Sequence, residues 1–239
     1  MIEFLQDKYP IATMQARRDY AHVTKSRVVE PPYWFRDTDT GKEYHGIFGA
    51  LGWPQRLSES ANSRDGYAVI VGILKIEGQD PENARMEVLE ELEEQSGSEG
   101  RLIKACVKMR NRWGYGVHHS ILPVFYGDHR PFELVVADFN TRIAETTNDD
   151  REAFIVSPPD DFDNPKAFDI YMGRLRSVLV AGQDKRLFLE DGQIIRNRIK
   201  TFRRDDPAIM ALGGLMHTLL LRQPWMEQTT PSVWQMPEV

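Results

Sequence analysis

ARMEVLEELEE, Ala84–Glu94, reads two ways, and the choice between them sets the fold. Its glutamates and leucines carry high helical propensity. Met86, Val88 and Leu92 also fit the alternation of a half-buried strand, and Gly78-Gln79-Asp80-Pro81 just before them is a turn that can send the chain straight back. Upstream, GYAVIVGILKI (Gly66–Ile76) is a β-branched run suited to the middle of a sheet. YHGIFGALGW (Tyr44–Trp53) is a second apolar, glycine-rich run, divided from it by the polar loop 54–65. In that company Ala84–Glu94 is expected to be a third strand, so that the core opens with three antiparallel strands.

The chain beyond it alternates. Ser98–Tyr115 sets Leu102, Ile103, Cys106, Val107 and Met109 at helical spacing. Ile121–Tyr126 (ILPVFY) and Ala153–Ser157 (AFIVS) are short buried strands. Helices are expected over Arg130–Ala144, over Pro165–Gly182 with Phe168, Ile170, Tyr171, Leu175, Val178 and Leu179 inward, and over Gly192–Thr201; Arg186–Leu189 is extended. Three strands followed by alternating units predict an α/β fold, a mixed sheet with helices on both faces. Residues 43–222 form this domain. Residues 1–42 form an N-terminal extended and helical segment, with a helix over 11–24, an extended run Val28–Phe35 and a polar turn 36–42, and residues 223–239 form a C-terminal tail.

With 239 residues, 41% of them hydrophobic and 28% charged, the chain can bury a full core. No apolar run approaches the roughly 20 residues that span a bilayer, and charges interrupt the N-terminus every few positions, so a soluble cytoplasmic protein with no membrane partner is expected. The single cysteine, Cys106, cannot form an internal disulfide and falls among apolar positions as a small core residue. A net charge of −6 gives no global case for nucleic-acid binding. Arg196, Arg198, Lys200, Arg203 and Arg204 nevertheless crowd into nine residues. Such a run is most often a solvated face; beside carboxylates it can also hold a phosphodiester backbone.

That run leads into FRRDDPAIMALGGLMHTLLL, Phe202–Leu221, the most hydrophobic stretch of the chain. Pro207 suits a first helical position, and Ile209, Leu212, Leu215, Met216 and Leu219 share one apolar face. Asp205 and Asp206 therefore stand at the start of a buried helix, where a carboxylate caps free N–H groups; the alternative is that one caps and the other faces a metal site. Asp128, after a glycine at the end of a buried strand, is a second candidate, either as a functional carboxylate or as the cap of the next helix. His118 and His119 are adjacent and make a poor chelate, and His217 reads as packed or surface on its helix. The Glu90–Gly97 stretch lacks the arginine and the spacing of the nucleotide-pyrophosphate hydrolase box.

The order of elements, VFYGD at Val124–Asp128, the Lys166-to-Leu189 helix with its extended piece, and RRDDPAIMAL at Arg203–Leu212 together resemble the RNase H-like nuclease domain of phage large terminase subunits. The resemblance covers roughly residues 44–221. It implies two-metal hydrolysis of DNA, with Mg²⁺ or Mn²⁺ held by Asp128, Asp205 and Asp206, and with Asp65 or a glutamate such as Glu91 completing the set. In that scheme Asp128, Asp206 and Asp65 are the catalytic acids, and the five basic residues hold double-stranded DNA. Two departures stand out. No G-x-x-x-x-G-K-[ST] phosphate loop occurs, so a packaging ATPase or portal protein would be a separate partner, in a host cytoplasm if the chain is phage-encoded. The family's first strand bears an aspartate where this chain has only Gly49, Ala50, Leu51 and Gly52. Two functions are therefore expected to compete: a metal-dependent endonuclease of viral genome packaging, and a catalytically reduced RNase H-like module that binds DNA or packaging proteins in a structural or regulatory role.

Overall fold

The computed structural model describes residues 2–4, 35–37, 40–53, 65–76, 84–95, 98–114, 123–128, 136–141, 154–179, 186–190, 192–201 and 206–222. The helix expected over 11–24, most of the one over 130–144 and the tail 223–239 lie outside them.

Ala84–Glu94 is a strand. β3 (Glu43–Gly52), β4 (Gly66–Leu74) and β5 (Met86–Glu94) run antiparallel, with Ala50 opposite Val69 and Val69 opposite Glu91. Helical propensity loses because every glutamate facing a neighbouring element finds a partner: Glu87 takes Tyr44 and Lys42, Glu90 takes Arg112 and Trp113, Glu91 takes Tyr67, and Glu93 takes Arg198. A register shift against Ile70 and Val71 marks a bulge in the ladder, after which the alternation changes phase. Met86 and Val88 consequently pack in one core, while Leu92 packs in the other, contrary to the simple alternation expected of all three.

β6 (Val124–Gly127) lies parallel to β3, with Tyr126 beside Ala50, and β7 (Val156–Ser157) lies parallel to β6. Across the core the order is β5-β4-β3-β6-β7, three antiparallel strands followed by two parallel to the first, which is the RNase H-like arrangement. β8 (Leu187–Phe188) adds to the outer side of β5. β1 (Ile2–Phe4) pairs with β2 (Phe35–Asp37), and β2 with the beginning of β3, so residues of the N-terminal segment belong to the eight-stranded sheet. The polar turn before β3 is closed by Gly41 at a φ of 72°.

Helices cover both faces. α1 (Glu99–Arg112), capped by Ser98, buries Leu102, Ile103, Cys106 and Met109 against Ile47, Leu51, Ala68 and Ile70. On the other face α2 (Ala167–Leu179) and α4 (Pro207–Arg222) enclose Phe48, Ala50, Tyr67, Val69 and Val71, with α3 (Ile194–Lys200) beside them. In α2, Tyr171, Leu175 and Val178 face inward as expected and Met172 joins them, while Ile170 stays half-buried. α4 is buried on nearly every side from Pro207 to Leu219, rather than on one face, because it is sandwiched between the sheet and α2. Gly213 and Gly214 permit this. A β-carbon there would stand 3.0 Å from Tyr171 and 2.9 Å from Pro159. Among the described residues no helix is long and apolar enough to cross a membrane.

Candidate functional site

The acidic start of α4 does two jobs with one carboxylate. Asp206, 2% exposed, accepts a hydrogen bond from Ala208 N at 3.0 Å through Oδ1, and its carbonyl accepts from Met210 N. Its Oδ2 meets Arg198 Nη1 at 3.3 Å. The cap and the cation-facing carboxylate are thus the same residue, and the cation is a side chain of this protein. Asp205, Arg203 and Arg204 lie outside the described residues.

Arg198 projects inward from α3. Its Nη2 bonds Glu93 Oε1 on β5 and lies 3.7 Å from Asp65, which stands one position before β4. Burial works against its charge, but the bond to Glu93 and the fields of Asp206, Glu93 and Asp65 outweigh it and raise its pKa. Burial, then Glu93, push the Asp65 carboxyl above the usual carboxylate range; Arg198 pulls it back and Glu94 adds to the rise. A cleft of about 380 Å³ opens here, lined by Glu93, Ile194, Asn197, Arg198, Thr201 and Asp206.

Glu91 is already committed. Its carboxylate accepts from Ile194 N, from Ile195 N at 3.1 Å and from Tyr67 Oη at 2.9 Å, so it caps α3, whose own N-cap residue Gln193 supplies no side-chain bond. The basic run divides in the same helix. Arg198 turns to the carboxylates, Lys200 is exposed and Arg196 is half-buried.

Asp128 follows Gly127, which pairs with Leu51, and its carbonyl accepts from Trp53 Nε1 at 2.6 Å. It does not line the cleft around Arg198. The glycine-rich part of β3 has a steric reason. A β-carbon on Gly52 would stand 2.1 Å from the carbonyl oxygen of Pro207, and one on Gly49 would stand 2.6 Å from the Phe125 ring. The position next to α4 is therefore filled by the helix itself, and no acid fits there.

Among the described residues, the carboxylates around Arg198 as placed do not fit a divalent ion. Among the described residues no group of three or more His, Cys, Asp or Glu side chains is arranged to hold a metal. Magnesium asks for oxygen ligands at about 2.0–2.1 Å in octahedral geometry, whereas here a guanidinium takes the facing oxygens of Glu93 and Asp206.

Sequence reasoning brought Asp65, Arg198 and Asp206 forward, and the structure gathers those three together. It missed Glu93, which lies 105 residues from Arg198. The available signal was strand parity: once Ala84–Glu94 is a strand, Glu91 and Glu93 share a face. Of the two positions expected for His217, packed and surface, it takes the packed one, accepting from Arg174 Nε at 3.3 Å and meeting Asp161 Oδ2 at 2.9 Å, while His118 and His119 lie outside the described residues. Compared with known proteins, the chain matches no family model, no curated protein and no solved structure.

Proposed function

We propose that this chain is a terminase-type RNase H-like module of viral genome packaging that engages double-stranded DNA or packaging proteins, with its catalytic centre reduced. The observation that carries this reading is Arg198, bonded to Glu93 and Asp206 and 3.7 Å from Asp65. A guanidinium stays charged throughout the biological pH range, so its one positive charge stands among these carboxylates at every such pH and occupies the place that a cation would take. The closed position at Gly52 supports the same reading, since it leaves no room there for the first-strand acid that the resembled family carries. In this role the module works beside a separate packaging ATPase or portal protein.

The convergence of Asp65, Glu93 and Asp206 on one point favours a second reading, a Mg²⁺- or Mn²⁺-dependent endonuclease in which Arg198 yields its place. Incubation of supercoiled plasmid with the full chain in Mn²⁺ or Mg²⁺ separates the two. The reduced module leaves the plasmid intact. Nicking that disappears in both Asp65→Ala and Asp206→Ala would replace the first reading with the second.

A further inference from the structure

The exposed face of α1, on the opposite side of the sheet from the cleft, carries Arg101, Lys104, Lys108 and Arg112, all exposed. At about 100° per residue these four fall within a sector of roughly 80°, and at 1.5 Å per residue they form a line about 16 Å long. The helix's only acid, Glu99, is turned roughly 160° from Arg101. Arg112 pairs with Glu90 at 2.5 Å; Arg101, Lys104 and Lys108 have no side-chain ion pair among the described residues.

A solvated helix face normally mixes signs, with acids four residues before bases. This one is uniformly cationic in a chain whose net charge is −6, so general solubility does not explain it. Its chemistry also narrows the occupant. The residue bordering the row is Ala105, half-buried, so the face lacks the Trp, Phe or Leu that an interfacial membrane helix inserts. It equally lacks aromatic side chains on which unpaired bases would stack. A row of cations about 4.5–6 Å apart faces a continuous line of charge in a duplex, where phosphates recur about every 3.4 Å of axis along each strand, and the long Lys and Arg side chains can reach phosphates without a one-to-one match of spacing.

We infer that α1 is a contact surface for the phosphate backbone of duplex DNA, sequence-independent and separate from the carboxylate cleft. It stands whether or not the chain cuts DNA. α1 begins shortly after β5 ends at Glu94, so the row starts near the end of the sheet at which Asp65 and Glu93 stand. A duplex lying along α1 would lead toward that edge.

The test is fluorescence anisotropy of the full chain on a short mixed-sequence duplex, titrated between about 50 and 200 mM salt. Each phosphate contact contributes about 0.9 to the slope of log affinity against log salt, so Arg101→Gln/Lys104→Gln/Lys108→Gln should lower the slope by about 2–3 and weaken binding about tenfold or more. The charge-keeping set Arg101→Lys/Lys104→Arg/Lys108→Arg should retain both. Single Lys104→Glu and Lys108→Glu variants, judged folded by circular dichroism, should weaken binding in the same direction. Unchanged affinity and slope in the folded neutral variants would overturn the inference. So would absence of duplex binding at low salt, or tighter binding to phosphatidylserine vesicles than to the duplex. None of these readouts depends on cleavage, so a negative nicking assay leaves the inference intact.

Discussion

Arg198 and Asp206 stand eight residues apart in the chain and face one another at 3.3 Å, the arginine from α3 and the aspartate from the cap of α4. Because the other Nη of Arg198 holds Glu93, this one side chain ties two helices to β5.

Arg198→Gln should therefore destabilise the fold by about 2 kcal/mol, below the ~3–5 kcal/mol typical of a fully buried pair because the arginine side chain keeps 22% of its exposure. Urea denaturation measures it. A loss below a few tenths of a kcal/mol would show that water already screens the cluster.

Asp65 gives a pH dependence whose sign can be stated. Its carboxyl titrates above the usual range in the folded protein, from burial first and Glu93 next. The folded state thus holds that proton more tightly than the unfolded one. Its contribution favours folding at low pH and is lost as pH rises through the raised value. Relative to wild type, Asp65→Asn should gain stability between about pH 4 and neutrality. Since Arg198 lowers the Asp65 value, Arg198→Gln should move the carboxyl's NMR titration higher still. Movement in the other direction contradicts the arrangement.

Glu91→Ala removes three acceptor contacts and strands the hydroxyl of Tyr67, which is 1% exposed. An unsatisfied buried group costs about 1–3 kcal/mol, and α3 loses its N-terminal tether as well. Amide exchange at residues 194–200 should accelerate more than exchange in α4.

Gly52→Ala should cost about 3 kcal/mol or more, since the obstacle is the Pro207 backbone carbonyl at 2.1 Å. Gly49→Ala meets the Phe125 ring instead and should cost about 1–3 kcal/mol. A negligible loss at Gly52 would mean that α4 can withdraw from β3 freely.

The Cys106 thiol is fully buried, and burial raises its pKa strongly. Native protein should resist iodoacetamide at neutral pH and react once unfolded in urea. Rapid labelling of the native state would place α1 less tightly on the sheet.

Much of this architecture was legible because local chemistry and tertiary environment agree. Gly66–Leu74 is β-branched and central, and Leu102, Ile103, Cys106 and Met109 keep helical spacing and are buried. Ala84–Glu94 was legible only from its neighbours, since its glutamates are stabilised as a strand by partners from distant segments, and its bulge breaks the parity that a sequence shows. The site was half legible. Asp206 announces itself through Pro207, whereas Glu93 has no local mark, and nothing along the chain says that one arginine of a basic run turns inward. The glycines of β3 were visible as a missing acid; that they mark contact with Pro207 and Phe125 requires the packed helix and strand.

The arrangement around Arg198 also sets how this protein relates to its surroundings. A charge balance supplied by dissolved ions rises and falls with their concentration, and a chelator can withdraw it. One supplied by a side chain has a fixed stoichiometry, arrives with the polypeptide and cannot be diluted away. The positive charge at the junction of α3, α4 and β5 is accordingly in place as soon as the chain folds, and a chelator cannot remove it.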